Sequence, residues 1–208
     1  MDAMDILADC QVVPVVVIDD HECAVELAVT LLDAGIKAIE VTLRTPAALA
    51  ALEQIAKHVP DILLGAGSLR QASHFSQVVD AGAKFTVSPG ASDELIKGAK
   101  KAQIPFVPGA ATASEMLNLL EQGYCLQKFF PAELSGGTAM LKALSAPLPE
   151  VKFFPTGGVT AELAPAYLQL PSVHCIGGTW IATPALINSG DFRMIGELAT
   201  AALKIAAA

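Results

Sequence analysis

Val12-Val-Pro-Val-Val-Val-Ile18 is followed by the helix-spaced stretch His21–Ala34, then Gly35, then Lys37-Ala-Ile-Glu-Val-Thr-Leu43. The outer pieces are apolar and strand-length, the first strongly β-branched; the middle one has helical periodicity, and Gly35 supplies a C-terminal stop. Outward from this unit the alternation continues. Helices are predicted over Pro46–His58, Gln71–Ala81, Ser92–Ala102, Ser114–Gln122, Thr138–Leu144, Ala161–Leu168 and Phe192–Ala207. Between them lie strands at Ile62–Ala66, Lys84–Val87, Pro105–Pro108, Cys125–Phe130, Val151–Pro155 and Val173–Ile176. Strands separated by helices require right-handed crossovers, and therefore a parallel sheet. The reading is one domain, residues 1–208, folded as an α/β (β/α)8 TIM barrel with parallel strands. An open doubly wound sheet is the alternative, weakened because no G-x-G-x-x-G follows the first strand.

Composition agrees with a packed globular chain. Of its 208 residues 53% are hydrophobic and only 5% aromatic, so aliphatic side chains must fill the core. A net charge of −8 argues against a nucleic-acid partner, although local arginines and backbone amides can still hold an anion. The Met-Asp-Ala-Met-Asp start has the wrong charge for a signal peptide, and no apolar run approaches the ~20 residues of a membrane span. Cys10, Cys23, Cys125 and Cys175 show no paired spacing and read as free thiols of a cytoplasmic protein. His21, His58, His74 and His174 show no metal-ligand spacing, and no metal or other cofactor is expected; His174 reads as a satisfied core residue.

In a barrel the active site lies where strands end. Along Ile39–Arg44 a period of two puts Ile39, Val41 and Leu43 on one face and Glu40, Thr42 and Arg44 on the other. The apolar set suits the helix layer, so Glu40 and Arg44 are expected on the inner side, where charge is costly unless paired or used. An interior ion pair that only braces the barrel fits the same pattern. Lys128 lies in an equally apolar strand. Desolvation favours the neutral amine that attacks a carbonyl, and a nearby Glu40 carboxylate opposes it. Lys152 shares the Lys-Phe-Phe-Pro context of Lys128 but sits nearer the start of its strand, and ranks second. Thr156-Gly157-Gly158 and Gly177-Gly178-Thr179 follow the last two strands, where barrels often bind phosphate through backbone amides. Gly65-Ala-Gly-Ser68, after the third strand, offers amides and a hydroxyl for a carboxylate.

Taken together, Glu40-Val-Thr-Leu-Arg44-Thr45, Gly65-Ala-Gly-Ser68, Ser88-Pro-Gly90, Lys128-Phe-Phe-Pro-Ala-Glu133, Pro155-Thr-Gly-Gly158 and Cys175-Ile-Gly-Gly-Thr-Trp180 resemble the bacterial 2-keto-3-deoxy-6-phosphogluconate and 4-hydroxy-2-oxoglutarate aldolases. The resemblance implies a cofactor-free class I aldolase acting on a 2-keto acid and an aldehyde phosphate, usually trimeric. It places the Schiff-base lysine on Lys128 and the acid/base glutamate on Glu40. Carboxylate contacts fall on Arg44 and on Ser68, where relatives usually have Thr. A stereochemical role falls on Thr156, and phosphate binding on Gly157, Gly158, Gly178 and Thr179, the last usually Ser. Arg is common in the family at the position of Lys152, and Arg forms no imine, which leaves Lys128. A galactonate-epimer aldolase, a non-covalent phosphate-binding isomerase or synthase, and an inactive ligand-binding barrel are the rival readings.

Overall fold

The computed structural model describes residues 2–206. A short helix, α1 (Ala3–Ile6), precedes β1 (Val12–Val16), a 3₁₀ turn and α2 (Ala24–Asp33). Next come β2 (Ala38–Thr42), α3 (Ala48–His58), β3 (Leu63–Gly67), α4 (Ser73–Asp80), β4 (Phe85–Val87) and α5 (Asp93–Ala102). Two two-residue strands, β5 (Phe106–Val107) and β6 (Gly109–Ala110), lead to α6 (Ala113–Glu121), β7 (Leu126–Phe129) and α7 (Gly137–Ser145). The order closes with β8 (Lys152–Pro155), α8 (Ala164–Leu168), β9 (Ile176–Gly178), α9 (Pro184–Ser189) and α10 (Phe192–Ala206). The predicted last helix therefore agrees to its final described residue, and Ala207 lies outside the described residues.

Local chemistry explains several starts. The Ser92 hydroxyl accepts from the Leu95 amide and begins α5; Thr112 and Glu115 form a reciprocal capping box that begins α6. α5 carries Asp93 and Glu94 in its first turn and Lys100 and Lys101 in its last, the arrangement its dipole favours.

All strand pairs are parallel. One curled sheet runs β5-β4-β3-β2-β1-β9 and a second runs β6-β7-β8. The predicted strand Pro105–Pro108 is instead divided around Pro108, which has no N–H for a ladder and whose carbonyl accepts from the Lys128 amide at 2.8 Å. The last predicted strand also shifts, from Val173–Ile176 to Ile176–Gly178, because its ladder pairs with Val12–Pro14. Val173 keeps only a single bridge to Phe153, and Gly177 a single bridge to Thr156.

Alternation sorts the strand side chains into two cores. Val12, Val16, Ile39, Val41, Leu64, Phe129, Phe153 and Ile176 face the helices. Val13, Ala38, Phe85, Val107, Leu126, Phe154 and Cys175 form a second cluster inside the sheets, which Ala3 and Leu7 of the N-terminal segment join. Large and small residues interlock in that inner layer. A Cβ on Gly65 would lie 2.1 Å from the Phe85 ring, so the glycine makes room for the phenylalanine. Burying each such ring contributes about 1.5–3 kcal/mol. The apolar floor leaves the polar inner residues, Glu40, Lys128 and Thr156, one step further along their strands.

Candidate active site

Glu40 in β2 and Lys128 in β7 come from different sheets and meet across the interior. The Lys128 ammonium donates to Glu40 Oε1 at 3.1 Å; the lysine is 4% exposed and the glutamate 0%. Both side chains follow from the alternation of their strands, with Ile39 and Val41 on the helix side of one and Gln127 and Phe129 on that of the other. Space for the carboxylate is provided by Gly67, whose Cβ, if present, would stand 2.0 Å from Glu40 Oε1. Two buried oxygens nearby have no partner: Glu40 Oε2 and Thr156 Oγ1. Buried polar atoms without partners are rare in folded proteins, and these two are available to a ligand. The Lys128 ammonium also lies 5.7 Å from the centre of the Phe130 ring, a cation–π contact.

Lys152, the competing lysine, is the first residue of β8 and pairs in register with Leu126, two residues below Lys128. Its ammonium points out and donates to the Pro171 carbonyl at 3.0 Å. Position along the strand separates two lysines with identical neighbours.

Arg44 departs from the simple inward-facing reading. β2 ends at Thr42, the Arg44 amide turns back to the Thr42 carbonyl at 2.8 Å, and the arginine is an exposed residue beyond the strand end. There its Nε donates to Ser68 Oγ at 3.1 Å, so the two expected carboxylate contacts do come together. Ser68 has φ 60°, in the left-handed region, immediately after β3. Gly65 and Gly67 are strand residues and not loop residues, which leaves Ser68 as the group at the rim. Thr42, on the inner face, is engaged by the Val16 carbonyl at 2.9 Å.

The glycine loops lie beside Thr156. Gly157 and Gly158 have φ 98° and 83°, and among the described residues neither amide donates to a backbone carbonyl. Gly177 and Gly178 end β9 instead of following it, and a Cβ on Gly177 would stand 2.2 Å from Thr156 Oγ1. Thr179, just beyond, is exposed. The Trp180 indole covers Gly178, with ring atoms 2.9 and 3.0 Å from where its Cβ would be.

Elsewhere, His174 is not satisfied as expected. Its ring is half-buried, its buried Nε2 has no partner, and burial above all lowers its pKa. The cysteines are free; Cys10 and Cys175 are buried, Cys23 and Cys125 partly so. Among the described residues no cluster of three His, Cys, Asp or Glu side chains could hold a metal, and no helix is long and apolar enough to cross a membrane.

The chain resembles known proteins along nearly its whole length. The sequence family described as KDPG and KHG aldolase matches residues 3–198. The 2-dehydro-3-deoxy-phosphogluconate aldolase of Pseudoalteromonas atlantica is 42% identical over 205 residues, covering 99% of this chain and 95% of that protein. The KHG/KDPG aldolase of Escherichia coli is 41% identical over 202 residues, covering 97% and 95%. A KDPG aldolase from Legionella pneumophila, solved with pyruvate captured at low pH as a covalent carbinolamine intermediate, superposes with a TM-score of 0.94 at 44% identity, covering 97% and 98%.

Proposed function

This chain belongs to the KDPG and KHG aldolase family, and on that premise we propose that it is a lyase whose Lys128 forms a Schiff base with its 2-keto acid substrate. It cleaves 2-dehydro-3-deoxy-6-phosphogluconate to pyruvate and glyceraldehyde 3-phosphate. The observation that carries the residue assignment is the buried 3.1 Å pair of Lys128 and Glu40, with Glu40 Oε2 free.

The amine of Lys128 attacks C2 of the substrate, and the proton leaving the nitrogen has an acceptor in Glu40 Oε1. Glu40 returns a proton as the carbinolamine loses water and becomes an iminium. The same carboxylate then takes the C4 hydroxyl proton, directly or through one water. The C3–C4 electron pair moves into the iminium, leaving an enamine, and the aldehyde departs. Protonation of C3 and hydrolysis release pyruvate and restore the amine. Arg44 grips the substrate carboxylate through its remaining N–H groups while Ser68 holds Nε, a fork a lysine would not reproduce. Thr156 Oγ1 faces the substrate hydroxyls, and the amides of Gly157 and Gly158 with the Thr179 hydroxyl receive the phosphate, while Gly178, expected to share in this, spends its amide in the ladder with β1 and lines the site only as backbone.

Cleavage of 4-hydroxy-2-oxoglutarate to pyruvate and glyoxylate is a second activity, favoured by the double name of the Escherichia coli relative. On the same reading the chain is one domain, a closed barrel of eight staves. The near-continuous β5–β6 stave and the two single bridges between β8 and the chain around β9 support closure. Assembly as a homotrimer in the cytoplasm, without a nucleic-acid or membrane partner, completes it; light scattering after size exclusion tests the trimer. The activity is tested by comparing kcat/KM for the gluconate-derived substrate, its galactonate epimer and 4-hydroxy-2-oxoglutarate. No pyruvate from any of the three would end the proposal.

A further inference from the structure

Glu133 ends the Lys-Phe-Phe-Pro-Ala-Glu run, yet none of the chemistry above uses it. It lies in the connection from β7 to α7, packed directly on the Thr156–Gly158 loop. The Ala132 amide donates to the Thr156 carbonyl at 2.9 Å, and the Glu133 amide to the Gly157 carbonyl at 3.1 Å. A Cβ on Gly158 would lie 2.7 Å from Glu133 Cβ, and one on Gly157 3.1 Å from the Phe130 ring. The two glycines therefore allow two segments of chain to lie against each other with no side chain between them.

The other end of Glu133 is also fixed. Its Oε1 accepts the hydroxyl proton of Tyr167, a fully buried side chain on α8, the helix that follows the glycine loop. Glu133 thus binds the loop where it leaves β8, through its backbone, and where it enters α8, through its carboxylate. Burial first, then the Glu133 carboxylate, hold the Tyr167 proton on far above the ordinary phenol range, so the tyrosine remains the donor. The bond also turns a negative charge towards α8 that would otherwise stand free beside the loop.

We propose that Glu133 and Tyr167 are positioning residues that set selectivity for phosphorylated substrates, by clamping the Gly157–Gly158 loop and directing the Glu133 charge away from an incoming phosphoryl group. This rests on the reading that the loop receives phosphate. The clamp touches no reacting atom, and Lys128, Glu40 and Arg44 make no hydrogen bond to it. A substrate without phosphate should therefore be indifferent to it.

The test is steady-state kinetics of Tyr167→Phe, Glu133→Ala and Glu133→Gln on the phosphorylated six-carbon keto acid and on 4-hydroxy-2-oxoglutarate, with melting temperatures recorded for each. Losing a hydrogen bond to a charged group is worth about tenfold. KM for the phosphorylated substrate should rise roughly tenfold in Tyr167→Phe and Glu133→Ala. kcat/KM for 4-hydroxy-2-oxoglutarate should stay within about twofold. Glu133→Gln, which keeps an acceptor for Tyr167 and removes the charge, should recover most of the loss. A parallel fall on both substrates shows a merely structural pair and overturns the inference, as does an unchanged KM in both variants. If Tyr167→Phe does not fold, the Glu133 pair decides in the same way. The underlying reading fails separately: wild-type enzyme would then be uninhibited by inorganic phosphate and show no preference for the phosphorylated substrate.

Discussion

Gly67→Ala isolates the geometry of the Lys128–Glu40 pair without removing either member. The new Cβ would stand 2.0 Å from Glu40 Oε1, 2.6 Å from Cδ and 2.7 Å from Cγ, whereas ordinary contact begins at 3.4 Å. The carboxylate oxygen must therefore withdraw by about 1.4 Å (3.4 minus 2.0). It cannot swing into water, because Glu40 is fully buried in β2, and its bond to Lys128 is 3.1 Å long. A displacement near 1 Å in a catalytic group costs roughly 10²-fold in rate, so kcat should fall by about two orders of magnitude. Gly90→Ala is the control, since a Cβ there meets nothing within 4 Å, and it should be near neutral. Stopped-time pyruvate release, with circular dichroism to confirm folding, measures both. Gly67→Ala retaining more than about half of wild-type kcat would refute the claim that Glu40 acts from its observed position.

Glu40→Gln keeps the shape of the side chain and removes its basicity, so turnover should drop at least about 10²-fold; near-full activity in the same assay would contradict the role. Lys128→Ala should abolish turnover and leave Glu40 buried without its cation, lowering stability by about 3–5 kcal/mol in a urea titration. Two helix glycines should respond in opposite directions. A Cβ on Gly196 in α10 meets only Thr30 Cγ2 at 3.4 Å, so Gly196→Ala should stabilise by about 0.5–1 kcal/mol. In α5 a Cβ on Gly98 would press 2.8 Å from the Phe75 ring, so Gly98→Ala should lower the melting temperature. Burial pushes the Cys10 thiol from 9.0 up to about 11, and Cys175 rises too for the same reason. As pH rises the unfolded chain releases these protons first. The Cys10 contribution is whole below pH 9.0 and is lost on passing through 11, costing about 2 kcal/mol there. Cys10→Ala should flatten this alkaline slope, and an unchanged slope would contradict the assignment.

The alternating strands and helices and the inward face of Glu40 were legible because period two and helical period are sequence patterns. That Lys152 starts its strand two residues below the level of Lys128 was legible too, since place along a strand can be counted. What escaped were facts of three-dimensional proximity. Nothing in Gly65-Ala-Gly-Ser68 says that Gly67 makes space for a carboxylate on the neighbouring strand, or that Ser68 adopts a left-handed backbone. The division of the predicted strand at Pro108 and the shift of β9 to Ile176–Gly178 depend on register, which neighbouring strands decide. Placing Arg44 on the lumen face extended an alternation past the end of β2. Glu133 and Tyr167 are 34 residues apart, and no spacing in the sequence links them.

Reduction with borohydride in the presence of pyruvate, followed by peptide mapping, tests the covalent step itself. One pyruvyl group should become permanently attached to the peptide carrying Lys128, and none to that carrying Lys152. An unmodified Lys128, or modification spread over surface lysines at equal rates, would contradict imine catalysis by the buried amine.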